Sequence, residues 1–136
     1  MPPAPSLEWE KAAWSRHAFL LGVDEVGRGP LAGPVVVAAA VFPLHARRVR
    51  GVRDSKALPP SRRAELVPRI LASAAGVTVA AASVREIDRL NIRLATALAM
   101  RRAIWRAKEA LGAGANVWVI IDGLPLPECG HEHEEC

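Results

Sequence analysis

Tyrosine is absent from this sequence, cysteine occurs twice, and aromatic residues make up only 4% of the 136 positions. Both cysteines, Cys129 and Cys136, fall close to the end, so no disulfide framework can staple the chain, which fits a reducing compartment. No apolar run approaches the ~18 residues that a membrane-spanning helix needs. The opening Met1-Pro2-Pro3-Ala4-Pro5 lacks the basic start and apolar centre of a secretory signal, and the expected location is therefore the cytoplasm. What is abundant is aliphatic: 51% of residues are hydrophobic, enough for a real core in one domain and too many for a disordered tail.

Charge is unevenly distributed. The formal net charge is +4, yet all eighteen Lys and Arg precede Leu124 together with only ten of the fourteen acids, so residues 1–123 carry +8. Glu128, Glu132, Glu134 and Glu135 crowd into the last nine residues. A body of that charge suits a polyanionic partner such as nucleic acid, although basicity also serves solubility.

Along the chain, residues 1–16 read as a leader, Pro-rich and then amphipathic around Leu7, Trp9 and Trp14. Phe19 to Asp24 has the pattern of a buried strand, and Pro34 to Phe42 a second, β-branched one. The link between them is short enough for antiparallel neighbours. A basic loop from Leu44 to Lys56 precedes Pro59-Pro60, which open a helix running to about Ala74 with Pro68 expected to kink or shorten it. Val77 to Ala82 is a third strand. Ser83-Val84-Arg85-Glu86 is a capping box at the head of the strongest helical pattern in the chain. Ile87, Leu90, Leu94, Leu98, Ile104, Trp105 and Leu111 form its apolar stripe, and Gly112 stops it. Its other face, Arg85, Arg89, Arg93, Arg101, Arg102 and Lys108, reads as solvated or as a surface for a nucleic-acid backbone. Val117 to Ile121 is a fourth strand, ending at Asp122-Gly123. The order strand–strand–helix–strand–helix–strand predicts an α/β mixed sheet with helices packed on it.

The chemistry lies in Asp24-Glu25-Val26-Gly27-Arg28-Gly29-Pro30. Adjacent carboxylates at the end of an apolar strand are costly near a core unless positive charge sits against them. A Gly-Arg-Gly turn lets backbone approach a ligand closely while the guanidinium reaches a phosphate in fork geometry. Asp122 likewise closes an apolar strand before a glycine, although Asp-Gly after a strand is most often an ordinary turn. If the two strands are parallel neighbours, Asp24, Glu25 and Asp122 can converge. Three carboxylates without His or Cys favour Mg²⁺ or Mn²⁺ over zinc. Such sites commonly hold two ions ~4 Å apart that act on a phosphodiester.

At these residues the chain resembles the ribonuclease HII family (type 2 ribonuclease H). The resemblance runs from Gly22-Val23-Asp24-Glu25-Val26-Gly27-Arg28-Gly29-Pro30 through Val36, then Asp54-Ser55-Lys56, Glu86-Ile87-Asp88, Leu90-Asn91-Ile92, the Ala95-Thr96 and Ala99-Met100 pairs, and Asp122-Gly123. It covers about residues 20–127, several independent blocks in order. It implies an RNase H-like fold, and cleavage of the RNA strand of RNA–DNA hybrids to leave a 5′-phosphate. The substrates would include DNA duplexes containing ribonucleotides, cut by a monomer. By the resemblance, Asp24, Glu25 and Asp122 are metal-binding carboxylates. Gly27-Arg28-Gly29 is the motif that grips the ribonucleotide at an RNA–DNA junction, where only the 2′-hydroxyl tells RNA from DNA. Lys56 in Asp54-Ser55-Lys56 reads as a phosphate contact or as a solvated loop lysine.

The family pattern continues beyond this point with a fourth catalytic Asp and a tyrosine near the junction sugar. No Tyr occurs here and no Asp follows Asp122. The expected organisation is a leader at 1–16, an incomplete ribonuclease HII-like domain at 17–127 and an acidic Cys/His tail at 128–136. The chain reads as the N-terminal part of the family's length, weakly active or inactive. The competing reading is a non-catalytic hybrid-binding module. The tail's Cys129, His131, His133 and Cys136 match no zinc-ligand spacing and read as a frayed terminus, and His17 and His45 as surface residues.

Overall fold

Small and β-branched residues recurring with a period of two build four strands, and four helices join or cover them. The computed structural model describes residues 7–26, 33–46, 49–50, 52 and 58–121. In chain order the elements are α1 (Glu8–Ser15), β1 (Phe19–Val26), β2 (Val35–Val41), α2 (Pro60–Ser73), β3 (Gly76–Ala82), α3 (Val84–Leu90), α4 (Ile92–Leu111) and β4 (Val117–Ile121). The sheet order is β3-β2-β1-β4. β1 pairs antiparallel with β2, β2 antiparallel with β3, and β1 parallel with β4. The expected α/β class and mixed sheet are found. β1, β3 and β4 therefore all point the same way, and their C-terminal ends lie at one edge of the layer.

One face of the sheet carries the core. Leu21, Val23, Val35, Val37, Ala39, Val41, Ala80 and Ala82 are buried beneath α4. The facing side of α4 is an alanine seam at one-turn intervals, Ala95, Ala99, Ala103 and Ala107, flanked by Met100 and Ile104. Small side chains let the helix approach the sheet closely, and full burial of Met100 and Ile104 contributes about 1.5–3 kcal/mol each. The expected apolar stripe is met in part: Ile104 is buried and Ile87 and Leu111 pack against the core, but the alanine seam takes the centre of the contact, Trp105 is 62% exposed, and Leu90 and Leu94 also remain exposed.

The single long helix expected from Val84 to Leu111 is two helices. Asn91 breaks them with φ 76° and ψ 168°, a conformation that ordinary side chains avoid. Its N–H still bonds the Ile87 carbonyl, while its side-chain oxygen accepts from Leu94 N–H at 3.0 Å and caps α4. At the head of α3 the capping box is present, Ser83 Oγ accepting from Glu86 N–H at 3.1 Å and Glu86 Oε1 from Ser83 N–H at 3.0 Å. By contrast Pro68 does not interrupt α2, which continues to Ser73. The carbonyl left without an N–H partner belongs to exposed Ala64, where water can serve it.

Arg102, expected on the solvated face, turns inward. Its guanidinium donates to both Glu86 oxygens, at 2.9 and 2.6 Å, and to the Ala81 carbonyl at 2.8 Å. One turn on, Arg106 donates to the Val79 carbonyl at 2.8 Å. Two carbonyls on the edge strand β3 are thus occupied by α4, which protects an otherwise exposed edge from strand addition. Within the residues expected to be leader, α1 packs on β1 with Ala13 and Trp14 buried, and the Trp14 ring meets that of His45 at 5.6 Å.

The Arg102 hydrogen bonds, then the Ser83 N–H, lower the Glu86 pKa from an ordinary 4.5 to about 2. A carboxylate more acidic in the folded chain stabilises it fully above about pH 4.5 and loses that contribution as pH falls towards about 2. Melting temperatures across this window should fall for the wild type and change less with pH in Glu86→Gln. At the helix break, Asn91→Ala loses the cap and forces a β-carbon into the positive-φ position, and should cost about 1–3 kcal/mol. Asn91→Gly, which keeps the conformation, should cost less. Urea unfolding of both variants checks the order.

Candidate active site

Alternation along β1 sends Leu21 and Val23 into the core and Gly22 and Asp24 to the opposite face. The strand was expected to end at Asp24, but it continues to Val26, so Asp24 lies inside the ladder opposite Ala38 and Glu25 opposite Val37. Asp24 is exposed and Glu25 is partly buried. Asp24 Oδ1 accepts the Glu25 N–H at 2.9 Å, which turns the carboxylate along the strand towards its C-terminal end. Ala38 beside Asp24, and Val79 beyond it in the next strand, leave a flat surface of modest side chains on this face.

The parallel partner of β1 is β4, with Leu21 opposite Val119, Gly22 opposite Ile120 and Val23 opposite Ile121. The condition set by the sequence, that the two acid-bearing strands be parallel neighbours, is met. Residue 122 itself lies outside the described residues, as do Gly27, Arg28, Gly29 and Lys56 and the Cys/His tail. Among the described residues no third Asp, Glu, His or Cys joins Asp24 and Glu25 in a metal-binding group. The donors present are carboxylates alone, a set that fits a hard divalent cation and disfavours a thiolate- or imidazole-seeking one.

α3 belongs to the same end of the sheet, because β3 delivers the chain there at Ala82 and Ser83 caps the helix that follows. The continuous helical pattern of the sequence conceals this junction. Its signal was Asn91 itself, a residue that tolerates positive φ and caps helices, set inside an otherwise continuous helical pattern.

Comparison with known proteins decides what this arrangement belongs to. The sequence model of the family described as Ribonuclease HII matches residues 21–134. The chain belongs to the ribonuclease HII family. The match continues beyond residue 127 into the Cys/His tail. The Ribonuclease HII of Synechococcus sp. (strain JA-3-3Ab) is 47% identical over 129 residues, 93% of this chain and 56% of that protein. The Ribonuclease HII of Thiobacillus denitrificans is 54% identical over 109 residues, 80% of this chain and 50% of the relative. The chain spans about half the length of the curated relatives it matches.

Among solved structures, Bst-RNase HIII in complex with Mn²⁺ superposes with a TM-score of 0.70 at 25% identity, covering 90% of this chain and 41% of the other. The RNase HII of the PCNA:RNase HII complex from Archaeoglobus fulgidus gives 0.59 at 26% identity, with 76% and 63% covered. The fold is that of the type 2 ribonucleases H. No helix among the described residues is long and apolar enough to cross a membrane.

Proposed function

We propose that this ribonuclease HII sequence serves an endonuclease that cuts the RNA strand of RNA–DNA hybrids, including at ribonucleotide–DNA junctions, and leaves a 5′-phosphate. The observation that carries the reading is the parallel β1–β4 pairing: the strand bearing Asp24 and Glu25 lies beside the strand that leads into Asp122, in register at Val23 and Ile121. Asp24, Glu25 and Asp122 would hold Mg²⁺ or Mn²⁺, which supplies Lewis-acid stabilisation of the phosphodiester and an activated water. The solved neighbour that contains Mn²⁺ supports that choice of ion.

The chain's own groups have distinct tasks on this reading. Asp24, fixed by the Glu25 N–H, presents anionic oxygen to the cation. Arg28, between Gly27 and Gly29, makes charge-assisted contact with a phosphate while the flanking backbone meets the ribose 2′-hydroxyl. Lys56 contacts a further phosphate. The enzyme works as a monomer in the cytoplasm, removing misincorporated ribonucleotides or primer remnants from DNA.

The 136 residues contain three of these carboxylates and no tyrosine, fewer groups than the family pattern employs. If these groups held the cation less firmly, a small misplacement of the reacting atoms would cost on the order of 10²-fold in rate. Purified residues 1–136 should bind a labelled duplex containing one ribonucleotide and cut it slowly at best with Mg²⁺ or Mn²⁺. Any cutting should be abolished by Asp24→Asn. Cleavage at the rate of a full-length relative would show that three carboxylates suffice; cleavage unchanged by Asp24→Asn would refute the site. Binding without cleavage under every metal condition would instead favour the hybrid-binding module.

A further inference from the structure

β3 runs parallel to β1 two strands away, so its C-terminal end lies roughly 10 Å across the sheet from that of β1. The register ties the rows together: Glu25 is opposite Val37 and Val37 opposite Ala80, while Val26, Val36 and Ala81 form the next row. Ser83 and α3 follow directly, so α3 stands at the carboxylate end of the sheet beside the proposed cleavage site.

The outer side of α3 is defined by what its inner side does. Glu86 is held by Arg102, and Ile87 packs against the core. Arg85 and Arg89, one turn apart, are exposed, and neither guanidinium has a hydrogen-bond or ion-pair partner among the described residues. Arg93, also exposed, follows at the start of α4. Asp88 shares the exposed side and reduces the local charge without cancelling it. The helix is also fixed in place. The Ser83 capping box holds its first turn, the Arg102 guanidinium ties Glu86 to the Ala81 carbonyl, and Asn91 anchors its end. Two guanidinium groups on a rigid short helix, at the same end of the sheet as the carboxylates of β1, suit a row of phosphates.

We infer that Arg85 and Arg89 contact the phosphate backbone of the bound hybrid beside the cleaved nucleotide, so that α3 sets the lie of the duplex across the carboxylate end of the sheet. This rests on the functional reading above and adds to it a specific surface and two positioning residues. Contacts of this kind carry no sequence information; they fix register and make affinity depend on salt.

The test is the salt dependence of binding of a labelled RNA–DNA hybrid, measured by fluorescence anisotropy in EDTA so that nothing is cut. Arg85→Gln/Arg89→Gln should weaken binding on the order of ten-fold at low salt and reduce the slope of log K against log salt by roughly 2, alike for hybrids of different sequence. Arg85→Lys/Arg89→Lys should retain most of the slope, and Asp88→Asn should tighten binding. Lys11→Ala/Arg16→Ala removes the same charge from α1 and from the turn leading into the opposite end of β1, and should have a much smaller effect. A wild type that binds the hybrid while the double glutamine variant binds equally well would overturn this inference and leave the functional reading standing. A wild type with no affinity for the hybrid would remove both. Equal losses in the α1 control would reduce the effect to net charge and overturn the proposal. So would weaker binding with an unchanged salt slope, which would show that the two arginines act without neutralising phosphates.

Discussion

The parallel pairing of β1 with β4 is the constraint on which the site depends. Parallel neighbours cannot be joined by a tight turn, and here the connection runs through β2, α2, β3, α3 and α4 before the chain returns. Because β1 and β4 run in the same direction, residues near the ends of both strands are brought to one end of the sheet although Asp24 and Ile121 are far apart in sequence. A one-residue slip in this register would exchange the two faces of β4. The partly buried Val117, Val119 and Ile121 pack against the core cluster and hold the register. The stability of an apolar ladder thereby becomes the positional accuracy of a carboxylate.

Helix α4 makes that ladder rigid from one side. Its alanine seam sits close to β1, β2 and β3, and its arginines reach over the edge to the Val79 and Ala81 carbonyls. Arg102 joins three elements at once, taking Glu86 of α3, the carbonyl of β3 and its own place on α4. Partly exposed ion pairs usually contribute little. This one is bidentate, shares its carboxylate with a helix cap, and fixes the direction in which α3 leaves the sheet.

Much of this was legible in the amino-acid sequence. The four strands follow from apolar and β-branched runs, the second of them bounded by Gly33 and Pro43, and the capping box from Ser83 and Glu86. The stretch Asp24-Glu25-Val26-Gly27-Arg28-Gly29 carries the resemblance to the family that the comparison with known proteins shows. What failed was phase and interruption. A stripe of leucines looks like a core face, but Trp105 is exposed and the alanines are buried, because distance to the sheet decided which face turned inward. Asn91 looks like one polar residue in a helix, yet tertiary packing at the end of β3 stops one helix there and starts another. Arg102 looks solvated because its partner, Glu86, is sixteen residues away and meets it only through the break. The order of strands in the sheet was likewise beyond local pattern, since it is set by which faces α4 must cover.

The most direct test of the account is where Mn²⁺ binds. Crystals of the protein grown with Mn²⁺ should show an anomalous peak between the carboxylates of Asp24 and Asp122, within direct coordination distance of both. Asp122→Asn should remove it as Asp24→Asn does. Mn²⁺ bound elsewhere, or side chains of Asp24 and Asp122 too far apart to share an ion, would contradict the claim that the β1–β4 pairing builds the catalytic centre.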